Sequence, residues 1–182
     1  MTHVAVLVGS LRADSVNRQV AESLRSLAPE GTVIEIVDGL GDLPFYNEDI
    51  DAAGAPEPVS RVRDLVRAAD RVLAVTPEYN ATMPAVLNNA IDWLSRPYGA
   101  GALVGKPFGV VGVTPTPYGG KWAHDDARRS ARIAGAAVLE QVDVSQTSID
   151  VDVLNDPAVE AKLREALVRL VDFDPEAASP AA

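Results

Sequence analysis

The sequence predicts a single α/β domain built on a doubly wound parallel sheet with helices on both faces. Three observations carry this. Strand-sized apolar runs alternate with helix-patterned segments along the whole chain. Several of those runs are apolar almost throughout rather than on alternate residues, as strands covered on both faces require. The alternation itself then restricts the topology, because each strand–helix–strand crossover returns right-handedly over a face of one sheet.

Taken in order, the first strand is HVAVLV at 3–8, followed by a helical stripe of Val16, Val20, Leu24 and Leu27. The second strand is TVIEIV at 32–37. The segment 38–57 that follows holds six acids and no base. Connections of that length in compact domains are functional or mobile, and its Leu43, Phe45, Tyr46 and Ile50 need burial somewhere. Val59, Val62, Leu65 and Val66 mark the second helix, RVLAVT at 71–76 the third strand, and Val86, Leu87, Ile91 and Leu94 the third helix. The fourth strand is FGVVGV at 108–113. Lys121 to Gly135 is polar and basic early and alanine-rich late, and reads as a helix with His124 facing solvent. Its Arg128, Arg129 and Arg132 form a basic face, either paired with Asp125 or Asp126 or clamping a nucleotide phosphate. AAVLEQVDV at 136–144 is the fifth strand, and Val159, Leu163, Leu167 and Leu170 line the last helix. One domain over 1–171 results, and the unpatterned 172–182 reads as a disordered tail.

Composition bounds the function. The chain has 182 residues, 47% hydrophobic, with a mean hydropathy of +0.06. The longest apolar runs fall short of the ~20 residues a membrane span needs. No basic region with an apolar stretch of signal type opens the chain, so the expected address is the cytoplasm. Without cysteine there is no disulfide, thiolate nucleophile or cysteine metal site. A net charge of −10, with no basic patch to offset it, argues against nucleic acid. Two histidines do not make a histidine-rich metal centre.

In a sheet of this kind ligands bind beyond the carboxyl ends of the strands, which directs attention to three loops, 9–16, 77–84 and 114–121. In the first, LVGSLRADSVNR, Gly9 permits a sharp turn and the following helix offers free N–H groups. Ser10 and Ser15 can donate hydroxyl hydrogen bonds, Asn17 an amide and Arg12 a charged fork. Together they suit a monophosphate; each alone has a plainer reading, Ser15 as an N-cap and Arg12 as a solvated side chain. The glycine spacings of dinucleotide and triphosphate loops are absent. In the second loop Pro77 and Pro84 stiffen the chain, presenting Glu78, Tyr79 and Asn80 on a fixed frame. Here too the plainer reading stands beside the functional one: Tyr79 as an edge aromatic, Asn80 as a turn residue.

VGSLRADSVNR followed later by PEYNATMPAVLNNAIDWLSRP resembles the NADPH-dependent FMN reductase family, the flavodoxin-like group that includes quinone, azo-dye and chromate reductases. The resemblance runs from Val4 to about Leu170. It implies a five-stranded sheet of order 2-1-3-4-5 and FMN as bound cofactor, with NADPH or NADH as hydride donor. It implies the phosphate on Ser10, Arg12, Ser15 and Asn17 and the isoalloxazine on Pro77, Glu78, Tyr79 and Asn80. In the third loop the family commonly shows Ser-x-Gly-x-x-Gly-Gly-Ala-Arg where this chain has TPTPYGGKW. Gly119 and Gly120 match and are expected to bring backbone N–H groups to the flavin pyrimidine. Thr114 stands where serine is usual, and Trp122 replaces the arginine. No side chain is assigned as acid, base or nucleophile, since the flavin carries the chemistry. The implied acceptor is a small molecule, whether quinone, free flavin, azo dye or metal oxyanion. The implied assembly is a homodimer or tetramer, with 38–57 near the partner's flavin; Trp93 and the apolar residues of its helix read as core or as subunit contact, and a symmetric contact at Trp93 and Leu94 would cover them together with the apolar residues of 38–57. The alternative is a flavodoxin-type electron carrier with no NADPH turnover of its own.

Overall fold

A computed structural model describes residues 1–174. The strands are β1 (Thr2–Val8), β2 (Thr32–Ile36), β3 (Arg71–Val75), β4 (Pro107–Thr114) and β5 (Ala137–Thr147). The helices are α1 (Val16–Leu27), α2 (Glu48–Ala52), α3 (Glu57–Ala68), α4 (Ala85–Leu94), α5 (Lys121–Ile133) and α6 (Pro157–Val171). All strand pairs are parallel, in the order β2-β1-β3-β4-β5. β1 therefore lies inside the sheet, and the chain reverses direction across it between β2 and β3, the switch point at which such sheets bind ligands.

Two apolar layers result. One face packs Val20, Leu24 and Leu27 of α1 with Val159, Leu163, Leu167 and Leu170 of α6. The other carries α3, α4 and α5. β4 is buried along its whole length, which accounts for its unbroken apolar run. At Gly109 any side chain would collide with Val142, and the register of β4 against β5 slips beside it, between Phe108 and Val110. α6 starts on an Asp156 cap that accepts from Ala158 and Val159 N–H, with Pro157 in the first turn. Its carboxyl end is held by Arg71, which donates to the carbonyls of Leu170 and Phe173. The anticipated tail therefore does not start at Asp172: Phe173 packs against the core. Residues 175–182 lie outside the described residues.

The 38–57 segment closes on its own subunit. Trp93 donates its indole N–H to the Pro44 carbonyl at 2.7 Å and packs edge-on against Tyr46, and Asn89 joins the backbone of Leu43, Pro44 and Tyr46. Arg63 grips Asp51 through two bonds of 2.9 Å and donates to the Trp93 carbonyl. Leu43, Tyr46 and Ile50 thus find cover in cis, whereas Phe45 is 81% exposed. Trp93 and Leu94 are fully buried core residues, which removes them from any subunit contact. Among the described residues no helix is long and apolar enough to cross a membrane, and no cluster of acidic, histidine or cysteine side chains could hold a metal.

Candidate active site

The loops after β1, β3 and β4, joined by Ser148 after β5, enclose a cavity of about 310 Å³. Ser10, Arg12, Ser15 and Asn17 form one end, Pro77, Glu78 and Tyr79 the opposite wall, and Val113, Pro115 and Thr116 the third. A larger hollow of about 640 Å³ lies off the strand ends between 38–57 and Arg96–Tyr98, away from the switch point.

At the first loop the chain turns tightly because β1 ends against Thr76, and any side chain at Gly9 would strike that hydroxyl. The glycine is required by this close approach rather than by a left-handed backbone. Ser15 caps α1, accepting from Arg18 N–H at 3.3 Å, and keeps its own hydroxyl hydrogen. Ser10 has no hydrogen bond and Arg12 no acidic partner among the described residues; Arg12 and Asp14 both lie exposed. Asn17 departs from expectation. It is buried, its amide donates to the Val113 carbonyl and accepts from the Val113 N–H, both at 2.9 Å, so it joins α1 to β4. β3 pairs with β4 only as far as Val111, and the side-chain amide supplies Val113 with a hydrogen-bonding partner beyond it. At most one of its N–H hydrogens faces the cavity.

The second loop is a two-residue hairpin. Tyr79 and Thr82 exchange backbone hydrogen bonds of 3.0 and 3.1 Å around Asn80 and Ala81, at φ 53° and 59°. That left-handed pair is the turn usually filled by Asn-Gly, so Asn80 shapes the loop. Glu78 is not free either: its carboxylate accepts from Trp122 and Ala123 N–H at 3.0 and 3.1 Å, capping α5. Thr82 adds a hydrogen bond to Asp126. Tyr79 is half-exposed at the rim.

The third loop contributes its start, Pro115 and Thr116. Thr114 is fully buried and bonds Thr116, and Gly119 and Gly120 are buried and outside the cavity lining. Both glycines have positive φ, and a side chain at Gly119 would meet the Ser145 backbone at 2.7 Å. Their service is to the turn into α5, where the rings of Tyr118 and Trp122 meet at a tilt with centroids 4.7 Å apart, partly exposed.

Behind that turn the structure reverses one expectation and resolves another. His124 is fully buried, not solvent-facing, with Nδ1 2.9 Å from Asp143. Arg128 is buried against Asp125 and Asp143 at 2.7 and 3.2 Å. Arg129 pairs with Asp126 and Arg132 with Glu140, so the basic face is paired and no phosphate clamp is left open. Burial alone would push Asp143 up, but the hydrogen bond from His124 and the Arg128 charge outweigh it and hold the carboxyl below its ordinary value.

A family model described as NADPH-dependent FMN reductase matches residues 2–148. The chain belongs to that family. A quinone reductase of Pseudomonas putida is 54% identical over 127 residues, 70% of this chain and 68% of that one. A 2-hydroxy-1,4-benzoquinone reductase of a Burkholderia species is 47% identical over 111 residues, 61% of this chain and 60% of that one. Among solved structures, FerB of Paracoccus denitrificans, a flavoenzyme NAD(P)H:(acceptor) oxidoreductase, superposes with a TM-score of 0.86 at 34% identity, covering 97% of this chain and 98% of that one.

As a member of the NADPH-dependent FMN reductase family the chain is an oxidoreductase that works with FMN and NAD(P)H, rather than an electron carrier without NADPH turnover. The cavity fits the cofactor. One end has an unpaired guanidinium, two hydroxyls and the first N–H groups of α1, a donor set for one phosphate. The other is walled by proline, tyrosine and backbone, suited to a flat ring.

Proposed function

We propose that this chain is an FMN-loaded reductase that takes electrons from NADPH or NADH and passes them to a quinone at the same site in a separate half-reaction. The observation that carries the reading is the two-ended cavity at the switch point, with Arg12 unpaired at one end and the Pro77–Tyr79 wall at the other. In this reading Ser10, Arg12, Ser15 and the α1 N-terminus hold the phosphate, and Asn17 contributes at most one N–H. Pro77, Tyr79, Pro115 and Thr116 flank the ring. Glu78 lines the same wall while its carboxylate caps α5, and Asn80, Thr114, Gly119 and Gly120 shape the walls from outside the lining. Bound FMN supplies the hydride-accepting and hydride-donating centre; the protein binds, orients and screens. The quinone as acceptor rests on the relatives named quinone reductases, several of which share 43% identity or more.

The test begins with the purified protein: released cofactor should run as FMN, and anaerobic NADPH should bleach its absorbance, with colour restored by a quinone. Recovery of FAD, or no bleaching, would overturn the reading. Steady-state lines that stay parallel as NADPH is varied at fixed quinone concentrations support separate half-reactions; intersecting lines reject them.

The same reading includes a homodimer or a tetramer. With Trp93 and Leu94 buried, the surfaces for contact are those around Phe45, Tyr98 and Ile133, 81, 80 and 72% exposed. Light scattering should give at least twice the subunit mass of 19.2 kDa. A monomer with full turnover excludes a site shared between subunits.

A further inference from the structure

A cavity of about 310 Å³ is at the low end for one small ligand, so with FMN inside it the greater part of a dinucleotide donor lies beyond the rim. The first turn of α5 stands at that rim. Glu78, which lines the cavity, accepts from the Trp122 N–H at 3.0 Å, and Tyr118 follows the lining residue Thr116 by two positions. The tilted ring pair of Tyr118 and Trp122 is therefore held where the two ring-side loops come together, and its rings are 60 and 43% exposed. Lys121, next to Trp122, is exposed as well. Of the sixteen lysine and arginine side chains, only Arg12, Arg61 and Lys121 have neither a hydrogen bond nor an ion pair among the described residues. Arg61 lies away on α3 beside Gly39, and Arg12 lines the phosphate end of the cavity. Lys121 is left as the unpaired cation of the ring side. Its place does nothing for the helix: it is the first residue of α5, at the end that already carries partial positive charge, and that turn has no acid of its own.

We propose that Trp122 and Lys121 hold the adenosine half of the donor, the indole taking the adenine and the lysine the 2′-phosphate, so that the enzyme prefers NADPH to NADH. An exposed pair of rings offers a flat apolar face to a purine. The two donors differ only in that one phosphate, a dianion near neutral pH, and a cation with no acid of its own chain gives up no partner to bind it. Lys121 adjoins Trp122, and its flexible four-carbon stem spans the step from a base on the indole to the phosphate on its ribose. On a chain of net charge −10 such a local cation is what offsets repulsion of a polyanionic donor. Both residues end the stretch TPTPYGGKW, where the chain departs from the family pattern, which makes the arrangement a property of this chain. The inference rests on FMN occupying the cavity and on the donor reaching it there.

The experiment is a calorimetric titration of the FMN-loaded protein with adenosine 2′,5′-bisphosphate and with adenosine 5′-monophosphate, which differ by the 2′-phosphate alone. Wild type should bind the bisphosphate about fivefold more tightly, the upper range for an exposed ion pair, and the margin should shrink as salt is raised. Lys121→Gln should bring the two ligands within about twofold of each other. Its melting temperature should stay the same or rise, because a cation leaves the helix N-terminus. Trp122→Leu keeps apolar bulk without a face for a purine, and should weaken both ligands by about fivefold while keeping their ratio. In steady state Lys121→Gln should raise KM for NADPH by about fivefold and leave kcat and the KM for NADH as they were. Equal affinity of wild type for the two ligands, a margin that survives Lys121→Gln, or binding indifferent to Trp122→Leu each overturns the proposal and leaves the reductase reading intact. If neither NADPH nor NADH bleaches bound FMN, that reading and this proposal fall together.

Discussion

The two ends of the cavity are built on opposite principles. At the end proposed for the phosphate, Ser10 and Arg12 have no side-chain partner among the described residues, and Ser15 keeps a hydrogen to give after capping its helix. At the ring end nearly every polar group is already engaged: Glu78 with α5, Thr82 with Asp126, Asn80 in its turn, Thr114 with Thr116. A concentrated charge is recognised by donors left free for it, whereas a flat ring is recognised by shape, which requires walls that do not move. Changes at the first end should therefore alter binding and leave the fold alone, while changes at the second should alter both.

Asn17 tests that division most severely, because it stands at the phosphate end and belongs structurally to the other. Asn17→Ala should destabilise the fold by about 3 kcal/mol, since it strands both the N–H and the carbonyl of Val113 in a buried setting. Urea unfolding measures it, and an unchanged midpoint would return Asn17 to the ligand. Arg12→Ala should do the reverse, weakening FMN binding by about 2 kcal/mol with an unchanged melting temperature; equal losses in both would erase the contrast. Glu78→Gln keeps the shape but weakens the cap, and should lower stability by about 1 kcal/mol and FMN affinity with it. A loss of affinity alone would mean that the carboxylate touches the ligand. Ala81→Gly relieves a left-handed alanine and should stabilise the hairpin by about 1 kcal/mol. No gain in melting temperature would mean the turn is held by its surroundings.

Acid should expose the same asymmetry. The Asp143 carboxyl is held below its ordinary value, so its stabilising contribution is complete above that value and is lost as pH falls through the lowered one. Asp143→Asn should flatten the acid limb of the stability profile on the ring side.

This asymmetry also explains what was legible in the sequence. The strands were, because burial on both faces writes itself as continuous Val, Ile and Ala. The gathering of Ser10, Arg12 and Ser15 on one cavity was, because polar residues directly after a strand are conspicuous as residue types. The engagements of Asn17 and Glu78 were not, since an amide that bonds Val113 across 96 residues and a carboxylate that caps a helix 44 residues on leave no local pattern. α5 was legible as a helix but its buried face was not, because that face is Ala123, Ala127 and Ala131 interleaved with His124 and Arg128, small and polar residues that mimic a solvated surface. Of the two readings of Trp93, core and contact, the structure gives core; the sequence left them open because the segment that covers it, 38–57, carries so many acids that it reads as detached.

The family match stops at residue 148, yet the fold does not. α6 begins at Pro157 and lays Val159, Leu163, Leu167 and Leu170 over the same sheet face as α1, and Arg71, at the start of a central strand, grips its last carbonyls. A fragment trimmed to the recognisable region would carry every loop of the cavity and still leave half of one sheet face bare to water. What marks the lineage and what makes the molecule cohere are different stretches of chain, and anyone borrowing this scaffold must carry the helix as well as the signature.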